Sequence, residues 1–146
     1  MTLGIIFAIG AAMTWGLVYV LEQKILTEFS VMKFLFFESI FTLFISVVAA
    51  LYFEKTDSLL TAKNLNILLS PSFLILIAVT FLANYFILRS VQLAGATFAS
   101  MFEITFPIFV VIFGFFLLRA PIHWLTGVGA ILIISGSMVV IYANKI

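Results

Sequence analysis

Three glutamates interrupt the long apolar runs of this 146-residue chain, and they are the residues whose type and position could do chemistry. They are Glu22, Glu38 and Glu103. A charged side chain near the centre of a bilayer costs about 2.5–3.5 kcal/mol or more, so such residues are generally functional and have a partner. The chemistry open to a membrane carboxylate is to exchange a proton or to hold a cationic group.

Glu103 lies deepest, about 10 Å into its apolar run by helical rise. Pro107 lacks the N–H that would bond the carbonyl of Glu103, which leaves that carbonyl to a ligand, water or side chain. Because lipid would not face a stripe of small residues with a carboxylate, we expect a cavity or another helix against it. The alternative is a carboxylate that only bonds a neighbouring helix. At helical spacing the stripe comprises Ala96, Ser100, Glu103, Pro107, Val110 and Gly114.

The other two glutamates lie nearer the predicted ends of their runs. Glu38 is about one turn inside and shares a face with Thr42, so it either binds a solute or a proton, or reaches the headgroups. Glu22 closes its run, and we expect it to be solvated at the interface. Arg89 would offset the burial cost of whichever carboxylate it pairs with, and the sequence leaves that choice open.

Aromatic and amide side chains complete the set of candidate binding residues. Trp15 and Tyr19 are one turn apart and could form an aromatic wall for a cationic ligand, or only pack. Asn84 shares a helical face with Thr80, and either substrate contact or bonding between helices explains that pair.

The composition indicates that these residues lie on membrane-embedded segments. Of the residues, 65% are hydrophobic and 9% charged, with a mean hydropathy of +1.35, whereas soluble domains carry roughly 25% charged residues. There is no cysteine, the net charge is +1, and no basic run provides a footprint for nucleic acid. Without a catalytic triad, a phosphate loop or a metal-ligand cluster, we expect no enzyme, no cofactor and no bound metal. The predicted class is a membrane protein whose surroundings are the lipid bilayer.

Five apolar runs are long enough to cross a bilayer, which takes about 20 residues for each helix. They predict an all-α bundle of five transmembrane helices within one domain, residues 1–146. Ser70 followed by Pro71 is a helix start signal for the third span. Residues 54–69 mix leucines with polar residues and are expected to lie along the interface. The predicted spans are about 3–21, 34–53, 71–89, 96–118 and 124–142.

The basic residues divide almost equally between the two sides of the predicted membrane. An excess of Lys and Arg on the cytoplasmic side normally sets orientation, so a balanced chain is expected to insert both ways. The alternative is that one lysine or a partner fixes the orientation. One side receives Lys55, Lys63 and Arg119, and the other receives Lys24, Lys33, Arg89 and Lys145.

Small residues in the last span predict a close contact between helices, and we expect the fourth and fifth spans to contribute much of a dimer interface. The residues are Gly127, Gly129, Ser135 and Gly136.

The order and spacing of several motifs resemble a single EamA-type domain of the drug/metabolite transporter superfamily. Trp15-Gly16 resembles the tryptophan–glycine pair of that family, and residues 81–107 resemble its third and fourth helices. The glycines of the last span fit its closing helix. The resemblance covers nearly the whole chain, but Leu118-Arg119-Ala120 stands where many members carry a Gly-Glu pair, so no role of that loop carboxylate is carried over.

The resemblance implies a secondary transporter of small metabolites or drug-like solutes in the plasma membrane. Most members carry two five-helix repeats in inverted orientation, so this five-helix chain would be half of such a ten-helix unit. We expect an antiparallel homodimer, with Glu103 of each copy lining a shared cavity and coupling protons to transport. The alternatives are a non-transporting membrane subunit and a half-transporter that pairs with a related chain.

Overall fold

The computed structural model describes residues 2–53 and 62–144, and these residues form helices joined by short connections, without a strand. Seven helices follow one another along the described part of the chain. They are α1 (Thr2–Ile25), α2 (Val31–Phe53), α3 (Ala62–Leu68), α4 (Pro71–Ala94), α5 (Ala96–Glu103), α6 (Phe106–Leu118) and α7 (Trp124–Ala143).

Five stretches of the described residues are long and apolar enough to cross a membrane: α1, α2, α4, the combined Ala96–Leu118 and α7. This confirms the predicted all-α fold class with five membrane-spanning helices. Large apolar side chains cover the outside of these helices, with Phe53 77% and Leu118 80% exposed. A surface this apolar must be covered by lipid or by another chain.

Several helices extend beyond the predicted spans. Helix α1 continues past Leu21 to Ile25, α2 begins three residues before the predicted start, and α4 continues five residues past Arg89 to Ala94. The prediction counted apolar residues, which mark the part of a helix that faces lipid. Backbone bonding continues through the polar residues at each end, so the helices are longer than the apolar runs.

The predicted fourth span is interrupted in the middle. Helix α5 ends at Glu103, Ile104 and Thr105 form a turn, and α6 begins at Phe106 with Pro107 in its first turn. Proline cannot bond the carbonyl four residues earlier and is tolerated at a helix start, so the helix breaks just before it. The hydroxyl of Thr105 donates to the carbonyl of Phe102 at 2.6 Å and so satisfies a backbone acceptor at the break.

The start of α4 is capped as the sequence predicts. The N–H of Phe73 donates to the hydroxyl oxygen of Ser70 at 3.3 Å, and Pro71 is the first helical residue. Of the segment predicted to lie along the interface, the short helix α3 is described, whereas residues 54–61 lie outside the described residues.

The chain divides into two compact units, residues 1–25 with 90–146 and residues 26–89. In the first unit, α5 lies between α1 and α7 and contacts both. Ala99 of α5 is completely buried, and Ala96 is 6% exposed. These small side chains allow the helix backbones to approach closely, which is how helices associate when both sides are apolar. The second unit contains α2, α3 and most of α4, with Val31 and Leu35 of α2 buried.

Candidate functional site

The end of α5 carries a carboxylate that is bonded to another helix. The hydroxyl of Tyr19 on α1 donates a hydrogen bond to the carboxylate of Glu103, the last residue of α5. Tyr19 is only 5% exposed, whereas Glu103 is exposed on the surface of a single copy. One part of the carboxylate is therefore held by the protein, while the rest is open to a proton or a cationic group.

The break in the span lies directly after this carboxylate. Because Glu103 is the last residue of α5, the turn at Ile104 and Thr105 separates it from Pro107. Proline has no N–H to bond the carbonyl of Glu103, as the sequence predicted. An interrupted helix beside a charged side chain is a common way to build a solute or ion site in a membrane transporter.

The stripe that contains Glu103 is covered along only part of its length. Ala96 is buried and Ser100 is half-buried, where α5 packs between α1 and α7. Further along, Pro107 and Gly114 are half-buried, and Val110 is 58% exposed. The expected neighbouring helices thus face its first half, and the second half is more exposed.

The predicted aromatic pair lies beside the carboxylate. The ring centroids of Trp15 and Tyr19 are 6.3 Å apart with the planes inclined by 48°. Trp15 is 53% exposed, so the indole presents an aromatic surface next to the Tyr19–Glu103 hydrogen bond. This arrangement suits a cation at the ring face, because the electrons of the ring attract positive charge.

Glu22 is buried, contrary to the expectation of a solvated end. It is 8% exposed and lies one turn after Tyr19 on α1. The expectation failed because α1 continues to Ile25, so Glu22 lies within the packed part of the helix rather than at its end.

Gln23, for which no role was predicted, links α1 to the start of α5. Its side-chain oxygen accepts a hydrogen bond from the N–H of Ala96 at 2.6 Å. The residue before α5 is Gly95, which has no side chain to cap the helix and adopts a φ of 88°. A helix that begins after a glycine has no side chain of its own N-cap residue to bond its first N–H groups. Gly95 in the sequence could therefore have indicated that a side chain from another helix caps α5.

A second group of polar side chains lines a cavity of about 420 Å³ in the unit of residues 26–89. Glu38 and Asn84, both predicted as binding residues, belong to it together. Glu38 lies seven residues after the start of α2, about 10 Å along the helix. The cavity is lined by Leu35, Glu38, Ser39 and Thr42 of α2 and by Ile77, Thr80, Phe81 and Asn84 of α4.

The small residues of α7 lie mostly on its outer side. The inner side contains the buried Ser137 and Ile141, whereas Gly127, Ser135 and Gly136 are exposed and Gly129 is half-buried. No atom of the described chain beyond the helix itself lies within 4 Å of where a Cβ would stand on any of these three glycines. The outer side of α7 is therefore uncovered in a single copy, and it also carries large exposed side chains such as Leu132 and Val139.

Comparison with known proteins decides the family. The model of the EamA-like transporter family matches residues 2–142, nearly the whole chain. The chain belongs to the EamA-like transporter family. No curated protein and no solved structure gives a significant match.

Membership in the EamA-like family makes the protein a multi-pass integral membrane transporter of the drug/metabolite transporter superfamily. It confirms the resemblance drawn from the sequence motifs. It also favours transport over enzymatic catalysis. The roles of individual side chains in this EamA-like protein stay predictions and are argued next.

Proposed function

We propose that this EamA-like protein is a secondary transporter of small metabolites or drug-like solutes, driven by protons that bind to and leave Glu103. One observation carries the proposal: a carboxylate at the interruption of a membrane span accepts a hydrogen bond from Tyr19 on a different helix. A membrane carboxylate costs free energy to maintain, which is why such residues generally mark ion or proton pathways.

The hydrogen bond gives protonation a structural consequence. Ionised Glu103 accepts the bond from Tyr19 with a full negative charge, and such bonds are about twice as strong as neutral ones. Protonation removes that charge and weakens the contact between α1 and α5. In this proposal the turn at Ile104 and Thr105 is the hinge between α5 and α6. Proton occupancy thereby shifts the balance between two helix arrangements, as alternating access requires.

The working unit of the proposal is an antiparallel homodimer. Two copies inserted in opposite directions reproduce the inverted repeats on which many secondary transporters are built. The nearly equal numbers of basic residues on the two sides favour such insertion. The exposed small residues of α7 provide a surface on which a second copy can pack closely. In this arrangement the open side of Glu103 in each copy faces the shared solute pathway.

Reconstitution tests the transport function. The purified chain is inserted as the sole protein into liposomes, and a panel of radiolabelled amino acids, amines and nucleosides is offered across a proton gradient. We expect at least one solute to accumulate and a protonophore to abolish the accumulation. A folded protein that moves no solute alone would contradict the proposal. Flux that returned only with a related chain would identify a half-transporter.

Labelling of single cysteines tests the dual orientation, and the absence of native cysteine makes each label specific. Ser30→Cys and Ile122→Cys place one thiol in each of two loops that five spans put on opposite sides of the membrane. An impermeant maleimide should label about half of either variant from one side, because each loop faces both ways. Complete labelling of one variant and none of the other would establish a single orientation.

A further inference from the structure

The cavity between α2 and α4 supports an inference about the solute that rests on the proposed transport function. We infer that this cavity binds a small solute that carries one protonated amine together with neutral hydrogen-bonding groups such as hydroxyl or carbonyl. The juxtaposition of Glu38 with three hydroxyl side chains and one carboxamide carries the inference.

The charge of the wall selects a cation. Glu38 is the one ionisable group among the eight lining residues, and none of them is basic. Leu35, Ile77 and Phe81 make the rest of that wall apolar, and Glu38 is exposed toward the cavity in a single copy. An anionic solute would meet repulsion there, whereas an ammonium group gains a charge-assisted hydrogen bond. The ring of Phe81 adds a further surface that attracts positive charge.

The neutral polar groups of the cavity favour a solute that carries hydroxyl or carbonyl groups in addition to its amine. The hydroxyl of Ser39 already donates to the carbonyl of Leu35 at 2.7 Å, so toward a solute it can act only as an acceptor. Thr42 and Thr80 can donate or accept, and Asn84 offers both an oxygen and an NH₂ group. A hydrocarbon amine would leave these groups unpaired, whereas a hydroxyl or carbonyl on the solute pairs with them.

The size of the cavity fits a small molecule. Its volume of about 420 Å³ lies within the range of about 300–1,000 Å³ for small-molecule sites. The lining residues all belong to the unit of residues 26–89, whereas Glu103 and Tyr19 belong to the other unit. The inference therefore separates the solute-binding carboxylate, Glu38, from the proton-binding carboxylate, Glu103.

Three compounds with one ring and three different charges test the site. Radiolabelled tyramine supplies the amine and a hydroxyl, tyrosol replaces the amine with a hydroxyl, and 4-hydroxyphenylacetate replaces it with a carboxylate. Binding to the purified chain is measured in nanodiscs of phosphatidylglycerol, whose headgroup carries no amine. We expect saturable tyramine binding, competition by tyrosol at least about tenfold weaker, and none by 4-hydroxyphenylacetate. Equal competition by the neutral compound would overturn the inference.

Substitutions locate the binding. Glu38→Gln should weaken tyramine binding about tenfold or more, and Thr80→Val, which removes only a hydroxyl, about three- to tenfold. Glu28→Gln changes a carboxylate in the turn after α1, outside the cavity, and should leave binding unchanged. Tyramine binding that survives Glu38→Gln in full would overturn the inference.

Protection of a single thiol keeps the test decisive if Glu38→Gln fails to fold. Thr42→Cys places the sole thiol of the chain on the cavity wall, and tyramine should slow its labelling by a maleimide, whereas Ser30→Cys should react equally fast with and without tyramine. No protection would overturn the inference.

Two further experiments distinguish a solute amine from a lipid amine, and failure of the transport proposal from failure of the binding site. Phosphatidylethanolamine added to the nanodiscs should not displace tyramine, since displacement would make a lipid headgroup the occupant and overturn the assignment to a solute. If tyramine binding depends on Glu38 but no solute moves in liposomes, the proposed transport function is refuted and the amine-binding site is retained. If other solutes are transported but tyramine does not bind, the amine-binding site is refuted and the transport function is retained.

Discussion

The hydroxyl of Tyr19, six residues before the end of the chain's first helix, donates a hydrogen bond to the carboxylate of Glu103, 84 residues further along. Tyr19 is buried on α1, and Glu103 ends α5 where the span is interrupted. The contact between these two helices therefore includes the charge of Glu103, and any process that changes this charge acts on the helix contact.

A double-mutant cycle should detect this interaction. Tyr19→Phe removes the hydroxyl and keeps the ring, and Glu103→Met removes the acceptor at similar length. Hydrogen bonds to charged groups contribute about 1.5–3 kcal/mol, and we expect a coupling near the lower end because Glu103 is exposed in a single copy. The measurement is the free energy of unfolding in detergent for both single variants and the double variant.

The matched control combines Tyr19→Phe with Glu28→Gln, whose carboxylate lies outside the spans. That pair should be additive within about 0.3–0.5 kcal/mol. The same additivity for Tyr19→Phe and Glu103→Met would show that the two side chains do not interact.

Gln23 should stabilise the protein through the start of α5. Gln23→Ala leaves the N–H of Ala96 without its partner, and an unpaired buried donor costs about 1–3 kcal/mol. Thr14→Ala is the control, because Thr14 donates only to the carbonyls of Gly10 and Ala11 in its own helix. We expect a clear fall in the thermal unfolding midpoint for Gln23→Ala and little change for Thr14→Ala. Equal midpoints would mean that another group or water replaces the cap.

Gly95 should tolerate no side chain, for a reason of backbone conformation. Its φ of 88° with a ψ of 162° lies in a region that is essentially restricted to glycine. Gly95→Ala should therefore destabilise the protein by about 1–3 kcal/mol, although the added Cβ would meet Gln23 at an ordinary contact distance of 3.5 Å.

Gly10→Ala provides the comparison for Gly95→Ala, since Gly10 is helical and has no atom within 4 Å of the added Cβ apart from its own helix. Alanine favours a helix by up to about 1 kcal/mol over glycine, so Gly10→Ala should be neutral or stabilising in thermal unfolding. A Gly95→Ala protein as stable as Gly10→Ala would contradict the assigned backbone conformation.

The outer side of α7 should lie against a second copy. Gly136→Cys in an otherwise cysteine-free chain should form a crosslinked dimer in membranes under mild oxidation, because the side chain points away from its own chain. Ser137→Cys is the control, since Ser137 is buried within a single copy and should crosslink poorly. Crosslinking of neither variant, with efficient crosslinking along α1 instead, would place the dimer interface elsewhere.

The fold could be predicted from the sequence because a bilayer imposes a simple requirement on it. Each span needs about 20 apolar residues, and five such runs are present among the described residues. The position of the break in the fourth span was harder to predict from the sequence. Pro107 indicated a missing hydrogen bond, but whether a proline kinks or interrupts a membrane helix depends on how neighbouring groups satisfy the backbone. Here the chain turns at Ile104 and Thr105, and the N–H and the hydroxyl of Thr105 both donate to the carbonyl of Phe102.

The site could be predicted only in part, because periodicity reveals the faces of single helices and not which helices meet. Thr80 and Asn84 were placed on one face, and Glu38 and Thr42 on another. That these faces share a cavity follows only from the tertiary arrangement. The Tyr19–Glu103 hydrogen bond and the cap from Gln23 join residues far apart in the chain, and no local pattern indicates either of them.

Proton-driven uptake by Glu103→Gln tests the central claim most directly. The amide keeps the size of the side chain and an acceptor for Tyr19 but cannot exchange a proton near neutral pH. In proteoliposomes with an imposed proton gradient, Glu103→Gln should accumulate at least about tenfold less solute than the native chain, while Glu28→Gln accumulates as much as the native chain. Both variants should remain folded by thermal unfolding. Accumulation by Glu103→Gln equal to that of Glu28→Gln would contradict proton coupling through Glu103.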